Sequence, residues 1–215
     1  MPRSLSPSEV EGFRNRLIAV AERLFAEQGA AAVSMRHLAE ALNVSVMTPY
    51  RYFSDKDEIL AAARVSGFDR FADALEAAHL AAEDCAGAAR AVAEAYLRFA
   101  FENPAAYKLM FDLSQPNEAA YPDLARAGAR ARVTMGAYIK NLRDAGLLVG
   151  EPEIVAHVFW AAFHGLVVLK LADKIAPDVD FEHLWRELAR TLTAGFAPLD
   201  IASETSEPNL SLFAA

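Results

Sequence analysis

The stretch SMRHLAEALNVSVMTPYRYFSDKDEIL, Ser34 to Leu60, decides how the chain is read. Behind Ser34, a good N-cap, Met35, Leu38, Ala39 and Leu42 recur at helical spacing. Asn43-Val44 breaks the pattern and Ser45 offers another cap, so Val44 to Phe53 predicts a third short helix in spite of Pro49. SDKDEIL then reads as a capping-box start, with Ser54 as N-cap, Asp57 three residues on, and apolar Ile59 and Leu60 behind. Short helices joined by a tight turn and braced by longer ones make a helix-turn-helix pattern.

Steps of about 100° per residue put Ser45, Pro49 and Phe53 on one face of that third helix. Met47 and Arg51 lie opposite, with Thr48 and Tyr50 on the flanks. With Phe53 as the core anchor, Met47, Thr48, Tyr50 and Arg51 point outward. Those types suit DNA: an apolar group for a thymine methyl, a hydroxyl, a phenol for a phosphate, and a guanidinium for guanine or phosphate. Pro49 removes the first intrahelical N–H bond and crowds the Ser45 carbonyl, so a shortened or distorted first turn is predicted. Alternatively Thr48-Pro49 is a cap and first residue, starting the helix late. Which of Val46, Met47 and Thr48 reach bases stays open. Lys56 in a helix's first turn opposes the macrodipole but, with free N–H groups, makes an anion site. Its other reading is a lysine neutralised by Asp55 and Asp57 in a solvated turn.

Upstream, Phe13, Leu17, Val20, Ala21, Leu24 and Phe25 stripe a first helix over residues 9–28, which Gly29 stops. Downstream, the helix opening near residue 57 runs to about 80. Further helical patterns follow at 87–102, 104–112, 122–146, 151–173 and 180–196, with Pro104, Pro116, Pro122, Pro152 and Pro177 at starts and breaks. The fold class is therefore all-α, with an extended or disordered tail at 198–215 rich in Ser, Glu and Pro. The lone Cys85 permits no intrachain disulfide and suits a reducing cytoplasm. The N-terminus lacks the apolar core of a signal peptide. The run Ile154–Leu169 is interrupted by His157, His164 and Gly165 and is short for a membrane span, so a buried helix is expected and no membrane partner. Net charge is −8; residues 1–56 carry seven basic and six acidic groups, so the acidity belongs to the remainder.

The order and spacing of LFAEQG, SMRHLAEALNVS, the Tyr50/Phe53 pair and the following Ser54/Lys56 resemble the DNA-binding domain of tetracycline-repressor-type (TetR) regulators. The resemblance implies a DNA-binding domain at 1–56, with residues 45–52 as its recognition helix. It implies further that Tyr50 and Lys56, with the helix-2 start around Ser34 and Arg36, hold phosphates of a double-stranded operator. The resulting DNA-binding set is Ser34, Arg36, Ser45, Val46, Met47, Thr48, Tyr50, Arg51 and Lys56. Pro49 departs from the family, which usually has an aliphatic residue there.

FENPAAYKLMFDL (Phe101–Leu113) and the Trp160/His164/Gly165 pattern resemble segments of the family's C-terminal domains, which implies a helical ligand-binding and dimerisation domain at 57–197. The helix at 151–173 is apolar almost all round and so needs covering on more than one side. Ala156, Ala161, Ala162 and Gly165 allow close helix approach. With Trp185 and Leu188 on the helix at 180–196, they are the expected homodimer interface, a four-helix bundle. The alternative is the buried central helix of a monomer. Tyr96, Phe99, Tyr107, Met110, Phe111, Tyr138, Trp160, Phe163 and His164 are candidates to line a pocket for an unidentified small-molecule effector; for each the alternative is plain core. Arg126, Arg130 and Arg132 read as a solvated face or an anion contact. No metal-ligand spacing, nucleophile motif or phosphate loop appears, so no cofactor, no metal and no enzymatic activity are expected. The expected function is a repressor released from its operator by a small, largely apolar ligand. The alternatives are a DNA-binding protein controlled by a protein partner or by nothing, and a helical enzyme.

Overall fold

In a computed structural model of the chain, residues 6–112 and 118–198 are described, and every regular element among them is helical. The α-helices are α1 (Pro7–Gln28), α2 (Met35–Ala41), α3 (Lys56–Leu80), α4 (Cys85–Glu102), α5 (Pro104–Phe111), α6 (Pro122–Asp144), α7 (Pro152–Leu171) and α8 (Phe181–Gly195). Short 3-10 turns occupy Pro49–Arg51 and Glu118–Ala120.

Local chemistry sets the ends. Ser6 and Glu9 form a reciprocal capping box before α1, with Pro7 at the first helical position. Its hydrogen bonds hold the Glu9 carboxyl below the usual range. Gly29, at φ 81°, closes the other end with its N–H on the Phe25 carbonyl (2.9 Å). At the end of α2, Asn43 takes the left-handed conformation (φ 54°). The Asn43 and Val44 N–H groups then return to the carbonyls of Glu40 and Ala39, a Schellman closure. Gly146 and Asp173 repeat it after α6 and α7.

The chain divides into two compact units, Met1–Leu75 with Tyr96–Val133, and Glu76–Ala95 with Thr134–Ala215. In the first, Phe13, Leu17, Leu24, Phe25, Val33, Met35, Leu38, Phe53, Ile59, Leu60 and Leu109 form one buried cluster. α5 packs on α1, where Lys108 donates to the Ala26 carbonyl at 2.7 Å. Arg70 of α3 bridges Glu22 of α1 and Asn103, which precedes α5 (3.0 Å to Asn103). Burial pushes the Glu22 carboxyl up, against the pull of Arg70. Gly67 sits in mid-helix, unfavourably for propensity, because a Cβ there would lie 3.1 Å from the Met110 side chain. In the second unit, α7 packs on α8 through Phe159, Phe163, Trp185 and Phe196, with Phe163 and Trp185 rings 4.3 Å apart. The Val149 N–H closes the α6–α7 connection on the Phe196 carbonyl (2.8 Å).

Three expectations need correcting. The N-cap of α3 is Asp55, not Ser54. Asp55 accepts the Glu58 N–H at 2.8 Å, while the Glu58 carboxylate accepts both the N–H and the hydroxyl of Ser54 (2.6 and 2.7 Å). The cap has moved one residue, and Glu58 reaches past it to Ser54, so the arrangement is not a reciprocal box. No α-helix forms over 45–52, for reasons given below. And α7 is covered on one face only within the single chain, although its length and composition would suffice to cross a membrane. Val155, Phe159, Phe163, Leu166 and Val167 face inward, while Ile154, Val158, Ala161 and Val168 stand exposed. Leu113, Pro116 and the tail from residue 199 lie outside the described residues.

Candidate nucleic-acid interface

The segment Ser45–Phe53 is a β-turn followed by a 3-10 turn. Thr48 donates its N–H to Ser45 O at 2.8 Å, which makes Val46 and Met47 the two central residues of the turn. A continuing α-helix would next send the N–H of residue 49 to that same carbonyl, and Pro49 has none to send. Arg51 and Tyr52 instead bond back three residues, to Thr48 and Pro49, and only Phe53 reaches four, to Pro49 (3.1 Å). The proline thus distorts more than a first turn: the late start read from Thr48-Pro49 is observed, with Thr48 in the cap position and Pro49 first, but what starts there is a single 3-10 turn over Pro49–Arg51. Pro49 does face the core as expected, buried together with Phe53, whereas Ser45 is exposed rather than on that inner face.

Helix α1 fixes this segment from beneath. Arg14 donates to the Tyr52 carbonyl at 2.6 Å and lays its guanidinium over the Phe53 ring at 4.1 Å. Phe13 stacks on Tyr52 with centroids 4.5 Å apart. Neither residue is among the sequence candidates; the one available signal is a cation and an aromatic adjacent on the inner edge of α1. Outward stand Met47 (67% exposed), Tyr50 (47%), Val46 (43%) and Arg51, and Thr48 is half-buried.

The predicted phosphate holders are all on this unit. Ser34 caps α2 by accepting the His37 N–H at 3.3 Å, which leaves its own O–H free to donate. Arg36 is exposed and paired with Glu40 at 2.8 Å, a bond that holds its guanidinium more basic than usual. A surface pair of this kind is worth little and yields readily to a stronger anion. Lys56 takes an arrangement neither sequence reading described: its ammonium donates to the carbonyls of Ala30 (2.8 Å) and Val33 (3.3 Å). That ties the start of α3 to the α1–α2 turn and leaves one of three N–H donors for an anion. Asp55, Asp57 and Glu58 surround the same turn and, after burial, are what push the nearby Tyr121 phenol up.

The nine pocket candidates fall in both units. In the first, Tyr96, Phe99, Tyr107 and Met110 are buried and Phe111 half-buried. The hydroxyls of Tyr96 and Tyr107 lie 2.6 Å apart, and Phe71, not foreseen from sequence, packs edge-on against Tyr96 and Phe99. Burial, with Tyr96 beside it, pushes the Tyr107 phenol far above its ordinary range. In the second, Tyr138 and Phe163 are buried, while Trp160 and His164 are half-buried neighbours with rings 6.4 Å apart. Burial alone holds the His164 imidazole below its usual pKa. Of the interface candidates, Trp185 is buried against Phe163 within its own chain; Ala156, Ala162, Gly165 and Leu188 are half-buried and Ala161 exposed. Arg130 is not a plain solvated residue, since it pairs with Asp73 at 2.6 Å and Asp69 at 3.6 Å. Arg126 pairs with Asp123 on an exposed face. Among the described residues no three His, Cys, Asp or Glu side chains group to hold a metal.

Comparison with known proteins places this geometry. Residues 17–63 match the model for bacterial regulatory proteins of the tetR family, and residues 89–192 that for a tetracyclin repressor-like C-terminal domain. The HTH-type transcriptional regulator Rv1816 of Mycobacterium tuberculosis is 28% identical over 182 residues, 82% of this chain and 69% of its own. Among solved structures, a protein of unknown function from Rhodococcus sp. RHA1 superposes with TM-score 0.76 at 26% identity, covering 92% of this chain and 100% of that one. The TetR family transcriptional regulator PfmR from Thermus thermophilus does so with TM-score 0.66 at 21% identity, covering 83% and 97%.

Proposed function

Because the chain belongs to the TetR family of DNA-binding transcriptional regulators, we propose that it is a cytoplasmic homodimeric repressor, released from its operator by a small, largely apolar effector. The observation that carries the DNA-reading part is the exposed Val46, Met47, Tyr50 and Arg51 on a segment held to α1 through Arg14, Phe13 and Phe53. In this reading residues 1–56 dock on the operator and 57–197 bind effector and partner. The segment enters a major groove, with Tyr50 and Ser34 donating to phosphates. Arg36 exchanges Glu40 for a phosphate, and Lys56 offers its remaining N–H. Ser45 and Thr48 frame the turn. Two subunits meet half-sites about 34–36 Å apart.

The dimer is supported by the exposed stripe Ile154, Val158, Ala161, Val168 on α7, with half-buried Gly165 among them, whose spacing of four and three is that of a helix–helix seam. A Cβ at Gly165 would meet nothing within 4 Å in the chain itself, the space a second helix would use. An effector bound among the C-terminal helices would favour one spacing of the two heads over another, and only one spacing fits the operator. A second reading, regulation without a small ligand, is favoured by the burial of Tyr96, Phe99, Tyr107 and Met110 and by the 2.6 Å hydroxyl pair of Tyr96 and Tyr107.

The test is selection of bound duplexes from a random pool by the full chain, followed by titration across salt and against a panel of small apolar compounds. Enrichment of a palindromic sequence whose binding falls steeply with salt is expected. Absence of any enriched sequence would sink the reading. Enrichment without release by any compound would leave the second reading standing in its place.

A further inference from the structure

The turn that replaces a recognition helix changes what this chain can read. We propose that Val46 and Met47 recognise the operator through the 5-methyl groups of two neighbouring thymines in each half-site, with Arg51 as the hydrogen-bonding base contact, to a guanine. The inference rests on the DNA-reading function proposed above. Val46 and Met47 occupy the two central positions of the Ser45–Thr48 turn, so they are its apex and both project outward. Consecutive Cα atoms lie about 3.8 Å apart and successive bases about 3.4 Å, so adjacent apex side chains match adjacent base steps.

The polar neighbours offer less at the apex. The Ser45 hydroxyl is engaged as acceptor of the Met47 N–H at 3.4 Å and keeps only its O–H to donate, and Thr48 is half-buried behind the apex. No Asn or Gln, the residues that read adenine with two hydrogen bonds, stands between Val44 and Phe53. Arg51, one residue beyond Tyr50, is exposed and its side chain has no hydrogen bond or ion pair among the described residues, so its fork is available. Isolated exposed apolar residues are ordinary on protein surfaces. Here the two are adjacent at a turn apex, where polar residues normally sit, and Met47 is the most exposed large apolar side chain among the described residues before Leu80. The major groove offers one apolar feature for such a pair, the thymine methyl.

The experiment replaces each thymine of the selected operator, singly and in both strands, with deoxyuridine, which removes the methyl and keeps the base pair. Full-length protein is then titrated at one fixed salt concentration. Two adjacent positions per half-site are expected to lose affinity about threefold to fivefold each, the effect of one buried methyl. Met47→Ala, present in both subunits of the dimer, should lower affinity for the thymine operator about tenfold to twenty-fivefold, the product of two such losses, and abolish the deoxyuridine effect at one of the two positions; Val46→Ala should do so at the other. Both side chains are exposed, so neither change should disturb folding. Uniform tolerance of deoxyuridine, or sensitivity that survives both substitutions, would overturn the proposal while leaving sequence-specific binding intact. If no sequence is enriched at all, the DNA-reading function itself falls, and this inference with it.

Discussion

Arg14 is the residue on which the reading segment depends most, although it is turned away from the DNA-reading surface. Replacing it by Met keeps most of its aliphatic bulk but removes a charge-assisted hydrogen bond to Tyr52 O at 2.6 Å and the cation over the Phe53 ring. A hydrogen bond to a charged donor contributes about 1.5–3 kcal/mol and a partly exposed cation–π interaction about 0.5–1. Local stability of the segment should therefore fall by about 2–3 kcal/mol, discounted for water that replaces the missing donor. Because affinity scales with the fraction of molecules holding the competent shape, operator affinity should fall by up to about 30-fold to 160-fold for each segment. Fluorescence anisotropy on the selected operator, repeated over a range of salt, separates this from removal of a phosphate anchor. Each neutralised phosphate contributes about 0.9 to the salt slope, so removing one such anchor from each subunit of a dimer lowers the slope by nearly 2. Arg14→Met should leave the slope unchanged, and Arg14→Lys should recover part of the affinity. Unchanged affinity, or a slope reduced by about 2, would refute the positioning role.

Other changes probe the remaining features. Lys56→Met should lower the salt slope by nearly 2 in a dimer, and thermal melting should show a loss of stability as well, since the Ala30 and Val33 carbonyls lose their donor. Ala161→Glu places a charge in the exposed α7 stripe without disturbing the chain's own packing; sedimentation should show monomers, and operator affinity should fall with dimerisation. The raised Tyr107 pKa sets a pH signature. Its stabilising effect is complete below the ordinary value near 10.0 and lost progressively above it, because the unfolded chain releases a proton that the folded chain retains. Denaturation midpoints should therefore drop more steeply between pH 9.5 and 11, roughly the range spanning that value, in the wild type than in Tyr107→Phe.

The helices are legible because their signals are local. Ser34 before an apolar repeat, Gly29 after one, and proline at the starts of α5, α6 and α7 each act within a turn of the boundary they set. The outward set Met47, Tyr50 and Arg51 is legible too, since Pro49 and Phe53 are the apolar residues that fix the inner face. What fails is continuation beyond Pro49: the late start is plain in Thr48-Pro49, but helical periodicity alone does not tell a single 3-10 turn from an α-helix. Lys56 cannot be placed from spacing, because its partners are carbonyls more than 20 residues away, and a backbone oxygen has no letter in the sequence. Arg14 is missed for the same reason. The aromatic residues of the C-terminal half can be named but not sorted, because a packed ring and a ligand-facing ring obey the same periodicity.

The packing of α5 against α1 bears on how such proteins can be recombined. Leu109 belongs to the same buried cluster as Phe13, Leu17 and Phe53, Lys108 holds the Ala26 carbonyl, and Ile59 and Leu60 also lie beyond residue 56. A DNA-reading cassette cut at that residue and grafted onto another regulator would carry an open apolar wound where these side chains had been. A chimera that keeps its own α5, or borrows it together with the head, keeps the mould in which the reading segment is cast. Exchange between such regulators is therefore constrained at a position some 50 residues downstream of the proposed DNA-reading segment.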